Sequence, residues 1–224
     1  MRNKLINRPR RIRLFRFIGR PTFRNLYRIL SKPKVEGIDN VPKEGPYLIT
    51  ANHLAFTDPP LVLAFWPKPV EALGAANMMS RHIFGWIMRS YGAYAVQRDS
   101  FDRSVVRIAL NVLQNGRPLF IAPEGSRSPT GMKPAQPGAA YLAVKASVPI
   151  VPVGVMGTEQ MFAALRSGYR APITMRIGKP YQLPDIPPHG KERHKILKNH
   201  TNEIMGRIAA LLPSEYHGVY AAHI

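Results

Sequence analysis

The apolar residues of this chain change period along its length, and the changes mark out its elements. Short runs that are wholly apolar or alternating, bounded by Pro, Gly or polar residues, predict strands over 47–50, 70–76, 93–97, 119–122, 150–155 and 173–177. Between them the apolar positions recur at three and four residues, which predicts helices over 81–91, 102–115 and 139–147. In the second of these, Val105, Ile108, Ala109, Val112 and Leu113 share a face and Gly116 supplies the stop. A last helix is expected over 191–212, with Ile196, Leu197, His200, Ile204, Ile208 and Leu211 along one side and Pro213 beyond it. Pro184, Pro187 and Pro188 make the preceding stretch a stiff connector. Near the start, Pro21 suits a first helical turn, and Phe23, Leu26, Tyr27 and Leu30 follow at helical spacing with Arg24 and Arg28 on another face. Strands alternating with helices predict an α/β fold, a mixed and largely parallel sheet flanked by helices, with a basic amphipathic helix at the N-terminus and a helix at the C-terminus. The expected division is a basic segment over 1–34 and a folded domain over 35–224.

Composition sharpens this picture through charge. The 224 residues are 45% apolar and 20% charged, ordinary values for a packed domain, but 32 Lys and Arg against 13 Asp and Glu leave a net charge of +19. Twelve of the basic residues lie in 1–34, where no acid precedes Glu36. Such a segment predicts an anionic partner, and the amphipathic spacing favours a membrane surface, with Phe23, Leu26, Tyr27 and Leu30 in lipid and the arginines on headgroups; the competing reading packs the stripe on the protein's own core and leaves the arginines solvated. Nucleic acid is the weaker reading, because the chain carries no helix-turn-helix or RNA-recognition signature. The longest apolar run, Leu61 to Trp66, stops at Pro67, far short of a bilayer span, and arginines interrupt any signal-like run. The expectation is a cytoplasmic protein held peripherally on the inner face of the cell membrane. The absence of cysteine removes thiolate chemistry and disulfides. His82, His189, His194, His200, His217 and His223 show no metal-ligand spacing, with His194 and His200 read as helix-surface residues, so no metal is expected.

Four blocks carry candidate chemistry. After the first predicted strand, Asn52-His53-Leu54-Ala55-Phe56-Thr57-Asp58 ends in two prolines, and a His and an Asp at this spacing can pair as a base and the group that orients it. A structural His in a turn is the competing reading. Arg98 ends the third predicted strand. Pro123-Glu124-Gly125-Ser126-Arg127 follows the fourth, offering backbone N–H groups, a hydroxyl and a guanidinium to an anion such as phosphate; a solvated turn is the alternative. Pro149-Ile150-Val151-Pro152 is an apolar strand edged by prolines, suited to wall a slot or simply to fill a core.

In this order and spacing the blocks resemble the glycerolipid acyltransferase family, of the 1-acylglycerol-3-phosphate acyltransferase type, over about 35–177 and more loosely at Leu212 to Tyr216. The resemblance implies His53 and Asp58 as catalytic residues, Arg98, Glu124, Gly125, Ser126 and Arg127 at the acceptor's phosphate and glycerol, and Pro149, Ile150, Val151 and Pro152 at the acyl-donor site. It further implies transfer of a fatty acyl group from acyl-CoA or acyl carrier protein, as co-substrate, to the free hydroxyl of lysophosphatidic acid, giving phosphatidic acid in phospholipid biosynthesis, without a cofactor. Another lysophospholipid acceptor, or a non-catalytic lipid-binding role, stays open. This chain has Ala55, Ser126 and Ala122 where the family commonly has Ser, Thr and an aromatic residue.

Overall fold

The structure, a computed structural model, describes residues 8–96, 103–187 and 190–223. Among these residues lie the strands β1 (Ser31–Glu36), β2 (Leu48–Ala51), β3 (Glu71–Ala75), β4 (Tyr94–Val96), β5 (Leu119–Ile121), β6 (Ile150–Met156) and β7 (Ala171–Ile177). The helices are α1 (Arg10–Leu30), α2 (Asp58–Phe65), α3 (Ala76–Met79), α4 (His82–Tyr91), α5 (Arg103–Gln114), α6 (Gly138–Ala146), α7 (Met161–Arg166) and α8 (Lys191–Ala209). The strands form one mixed sheet in the order β1-β7-β6-β2-β5-β3-β4, parallel at every pairing except β6 with β7.

The central strands are apolar throughout because both faces of the sheet are covered. Leu48, Leu119 and Ile150 point into one core, shared with Val112 and Leu113 of α5 and Ile204 and Ile208 of α8. Their neighbours Ile49, Phe120 and Val151 point into the other, against Tyr27 of α1, Leu61 and Val62 of α2, and Met161 of α7. The predicted mixed α/β architecture, with its terminal helices, is thus the one observed.

Four elements were not anticipated: the short helices α3 and α7, strand β1 and helix α2. Strand β1 has the sequence Ser-Lys-Pro-Lys-Val-Glu, without an apolar rhythm, and survives as an edge strand where Pro33 does no harm. Helix α2 is apolar all round, so it has no period to read; Leu61, Val62 and Ala64 are all buried. Its Pro59 and Pro60 do not close a turn but open the helix, in the first turn where a missing N–H costs nothing.

Helix α1 corrects the expectation for the N-terminus. It begins at Arg10, so Pro21 is an interior residue rather than a starter. Most of the stripe expected in lipid faces the protein: Tyr27 is buried and its hydroxyl donates to the Thr57 carbonyl at 2.5 Å, and Phe23 and Leu30 pack on the same core, while Leu26 is exposed. The arginines beside it are not simply solvated. Arg20 and Arg24 donate to the carbonyls of Leu63, Ala64 and Trp66, capping the C-terminal end of α2. His200 on α8 is likewise buried, not on the surface, and its Nε2 lies 3.1 Å from the Pro184 carbonyl.

A buried carboxylate secures this arrangement. Glu71, at the start of β3, accepts two hydrogen bonds from Arg16 at 3.0 and 2.8 Å and one from Arg117 at 2.9 Å, and pairs with Arg8. Arg16 also donates from Nε to the Tyr91 carbonyl at 2.9 Å. Burial raises the carboxyl's pKa, but hydrogen bonds from Arg16 and Arg8 outweigh it and hold the group at about 2. A carboxyl at about 2 when folded and near 4.5 when unfolded stabilises the fold above pH 4.5, and that contribution fades as pH falls toward 2. Glu71→Gln should therefore flatten the acid limb of stability over that interval. It should also cost about 3–5 kcal/mol near neutrality in urea unfolding, since it leaves buried guanidinium charge uncompensated.

Candidate active site

The loop between β2 and α2 is shaped by its own side chains. Asn52 is fully buried and completes the sheet: its amide donates to the Val155 carbonyl and its Oδ1 accepts the Val155 N–H, both at 2.8 Å, continuing the β2–β6 pairing with a side chain. The chain then turns, and Asp58, the first residue of α2, folds its carboxylate back over the loop. Oδ2 accepts the backbone N–H of Leu54 at 2.6 Å and of Ala55 at 2.8 Å, and lies 2.9 Å from His53 Nδ1. With an acceptor on that side, Nδ1 carries the proton and Nε2 is left with the lone pair a general base uses.

The Pro123–Arg127 loop after β5 holds the other side of His53. Glu124 is buried and spends both oxygens on backbone: Oε1 accepts the His53 N–H at 2.9 Å and Oε2 the Lys133 N–H at 3.1 Å. Burial raises its pKa, opposed by those two N–H bonds. The carboxylate thus braces the loop that carries the histidine. The Ser128 N–H adds a bond to the His53 carbonyl at 2.8 Å. Gly125 turns with φ +68°, the left-handed region where other residues are strained. Ser126 is contacted by Lys133 Nζ, and Arg127 stands exposed at the rim.

His53 and Arg127 open onto a cavity of about 230 Å³, many times the roughly 10–15 Å³ that admits one water. Its walls are mainly apolar and come from α1, α2, β3 and α4, through side chains such as Phe15, Phe23, Leu63, Phe84 and Ile87. Phe56 stacks on Phe162 at 5.6 Å and meets Phe84 edge-on at 5.1 Å beside the histidine. Among the described residues no helix is long and apolar enough to cross a membrane, and no group of three acids or histidines is placed to hold a metal ion.

The structure therefore brings His53, Asp58, Glu124, Gly125, Ser126 and Arg127 into one neighbourhood. Arg98 lies outside the described residues. Pro149, Ile150, Val151 and Pro152 are not cavity residues: they lead into and form β6, where Ile150 and Val151 fill the two cores. The apolar wall comes instead from α1, α2, β3 and α4, and includes Phe23, whose spacing had pointed to lipid. Asn52, Phe56 and Lys133 also belong to the site and went unremarked as functional residues. Only Asn52 carried a local signal, a buried-type position directly after a strand filled by a polar residue.

A mixed sheet flanked by helices carries a paired His and Asp beside a mainly apolar cavity, with Arg127 on its rim. The sequence model of the Acyltransferase family matches residues 32–156, more than half of the chain, and the chain belongs to that family. It is 30% identical to the 1-acyl-sn-glycerol-3-phosphate acyltransferase of Streptococcus pneumoniae over 72% of this chain and 60% of that protein. It is also 30% identical to the enzyme of the same name from Saccharomyces cerevisiae, over 68% of this chain and 52% of that one. The chain thus spans between half and two thirds of the length of these relatives. In fold it is similar to the 1-acyl-sn-glycerophosphate (LPA) acyltransferase PlsC from Thermotoga maritima, with a TM-score of 0.62 and 24% identity over 89% of this chain and 78% of that one.

Glu124→Gln replaces one accepting oxygen with an NH₂ group that faces a backbone N–H. It should lower stability by about 1–3 kcal/mol, the cost of a buried donor left unpaired. At roughly 2–4 °C per kcal/mol for a chain of this size, thermal unfolding will show the shift.

Proposed function

We propose that the chain is an O-acyltransferase that moves a fatty acyl group from a thioester, acyl-CoA or acyl carrier protein, to the free hydroxyl of 1-acyl-sn-glycerol-3-phosphate. The supporting observation is the hydrogen-bonded His53–Asp58 pair at the mouth of an apolar cavity with Arg127 on its rim. In this reading His53 Nε2 takes the proton of the acceptor hydroxyl as its oxygen attacks the thioester carbonyl carbon. Asp58 accepts from Nδ1 throughout and stabilises the imidazolium. The tetrahedral intermediate collapses, the C–S bond breaks, and the proton passes from His53 to the departing thiolate. General-base assistance of this kind is worth roughly 10²–10⁴-fold, and holding the two substrates together supplies more. The cavity receives a fatty chain and Arg127 the acceptor phosphate, with the bidentate geometry an ammonium lacks.

His53→Ala should lose at least about 100-fold in kcat, and Asp58→Asn a comparable factor through the wrong tautomer, in transfer assays with defined acyl thioester and lysophosphatidic acid. Wild-type rates in both variants would end this reading. Arg127→Ala should raise the acceptor's KM far more than the donor's, with Arg127→Lys restoring it only in part.

The same reading places the protein peripherally on an anionic membrane, the inner face of the cell membrane, because acceptor and product reside there. The face offered to it is not the stripe of Phe23, Tyr27 and Leu30 but the opposite side of α1. There Leu14, Phe17, Ile18 and Ile29 are exposed, Phe17 by 80%, and Ile83 and Trp86 of α4 extend the patch, with Trp86 edge-on to Phe15 at 5.6 Å. Exposed Arg10, Arg11, Arg13 and Arg28 flank it. Since α1 is also a cavity wall, the test is substitution and not deletion. Phe17→Ser with Ile29→Ser should weaken co-sedimentation with phosphatidylglycerol-containing vesicles at high salt, where screening leaves only the apolar share, and leave activity on a monomeric short-chain acceptor intact.

A further inference from the structure

The Asp58 carboxylate is fully buried, and its two oxygens have different partners. Oδ2 serves His53 and the N–H groups of Leu54 and Ala55. Oδ1 is engaged by the hydroxyl of Thr158, which is itself 1% exposed. Thr158 is 100 residues away in sequence and lies outside every block that suggested chemistry. We propose that Thr158 is a positioning residue of the acyl-transfer site: by donating to Asp58 Oδ1 it fixes the rotation of the carboxylate, and through it the direction of the His53 lone pair. This rests on the reading of His53 as the base.

The local chain is built to deliver that hydroxyl. Strand β6 ends at Met156, and Gly157 follows with φ +83°, where a Cβ would stand 2.2 Å from the Pro172 carbonyl oxygen. No other residue makes this turn without moving β7, and the turn points Thr158 back at the first residue of α2. On its far side the turn is bolted down by Tyr216, whose hydroxyl donates to Glu159 Oε1 at 2.8 Å. Thr57 is adjacent to Asp58 in sequence and also carries a buried hydroxyl, yet it has no hydrogen-bond partner among the described residues. Proximity along the chain therefore does not choose the group that holds Asp58.

The physical consequence follows from burial. Without the Thr158 hydroxyl, Oδ1 becomes an anionic oxygen with neither water nor donor, and the carboxylate gains by rotating toward whatever N–H it can reach. Any such rotation carries Oδ2 away from Nδ1. A misdirected base slows the chemical step without touching either binding surface, so the loss appears in kcat.

The test compares Thr158→Val, which keeps the shape and removes the hydroxyl, with Thr158→Ser, which keeps the hydroxyl, and runs His53→Ala beside them. Thr158→Val should lower kcat about 10–100-fold, with the KM of lysophosphatidic acid and of acyl thioester each within about twofold of wild type. Thr158→Ser should recover kcat to within about threefold. Independently of activity, the low-field proton resonance of His53 Nδ1–H should be sharp in the wild type and in Thr158→Ser, and broadened by exchange in Thr158→Val. If the Val variant does not fold, Thr158→Ala replaces it with the same expectations. A hydroxyl-free variant with wild-type kcat and a sharp Nδ1–H resonance overturns the proposal, as does a kcat loss that serine does not restore. Should His53→Ala retain full activity, the acyl-transfer reading fails instead, and the resonance alone decides whether Thr158 holds the pair.

Discussion

The site depends on one buried carboxylate. Asp58 collects the Leu54 and Ala55 N–H groups, the His53 ring and the Thr158 hydroxyl while itself shielded from bulk solvent. It begins α2, and so links the helix, the loop before it and the turn after β6. An anion of this kind is tolerated in a core only when its lone pairs are nearly all used. Geometry good enough to satisfy it is also geometry good enough to hold a histidine in one tautomer and one orientation.

The same economy recurs in a chain with few acids. Among the described acidic residues, Asp58, Glu71 and Glu124 are buried, and each ties together segments distant in sequence. Glu71 draws in arginines from the N-terminus and from 117, fastening α1 against the sheet. Glu124 joins the His53 loop to the segment at Lys133. Helix α1 consequently has two faces at work: one closes the cavity and meets the core, and the other, with Phe17 and Ile29, remains exposed. The excess of arginine near the N-terminus is partly structural, because guanidinium groups satisfy the last carbonyls of α2 as well as the Glu71 carboxylate.

Much of the fold was legible because the central sheet is buried on both faces and its strands are consequently uniform apolar runs between turn residues. The seams were harder. Strand β1 has no pattern of its own and is ordered by pairing with β7, and α2 is too evenly apolar to show a helical period. The amphipathic spacing of Phe23, Tyr27 and Leu30 was correct as a helix signal but silent on what the apolar face meets, since lipid and core present the same chemistry to it. For the site, the His53–Asp58 pair could be read because only four intervening residues leave a short list of geometries.

What the sequence determined by itself was local: the alternation of strands and helices, a His and an Asp able to pair within one loop after a strand, and a strongly basic N-terminus. Tertiary structure alone decided the rest. It placed Thr158 and Asn52 around the His53 loop, turned Glu124 toward backbone, paired Glu71 with Arg16, and made the cavity wall from α1, α2, β3 and α4 instead of β6. The reason is that a side chain's partner across many tens of residues is set by sheet order and by which face a helix buries. Neither leaves a trace in local spacing.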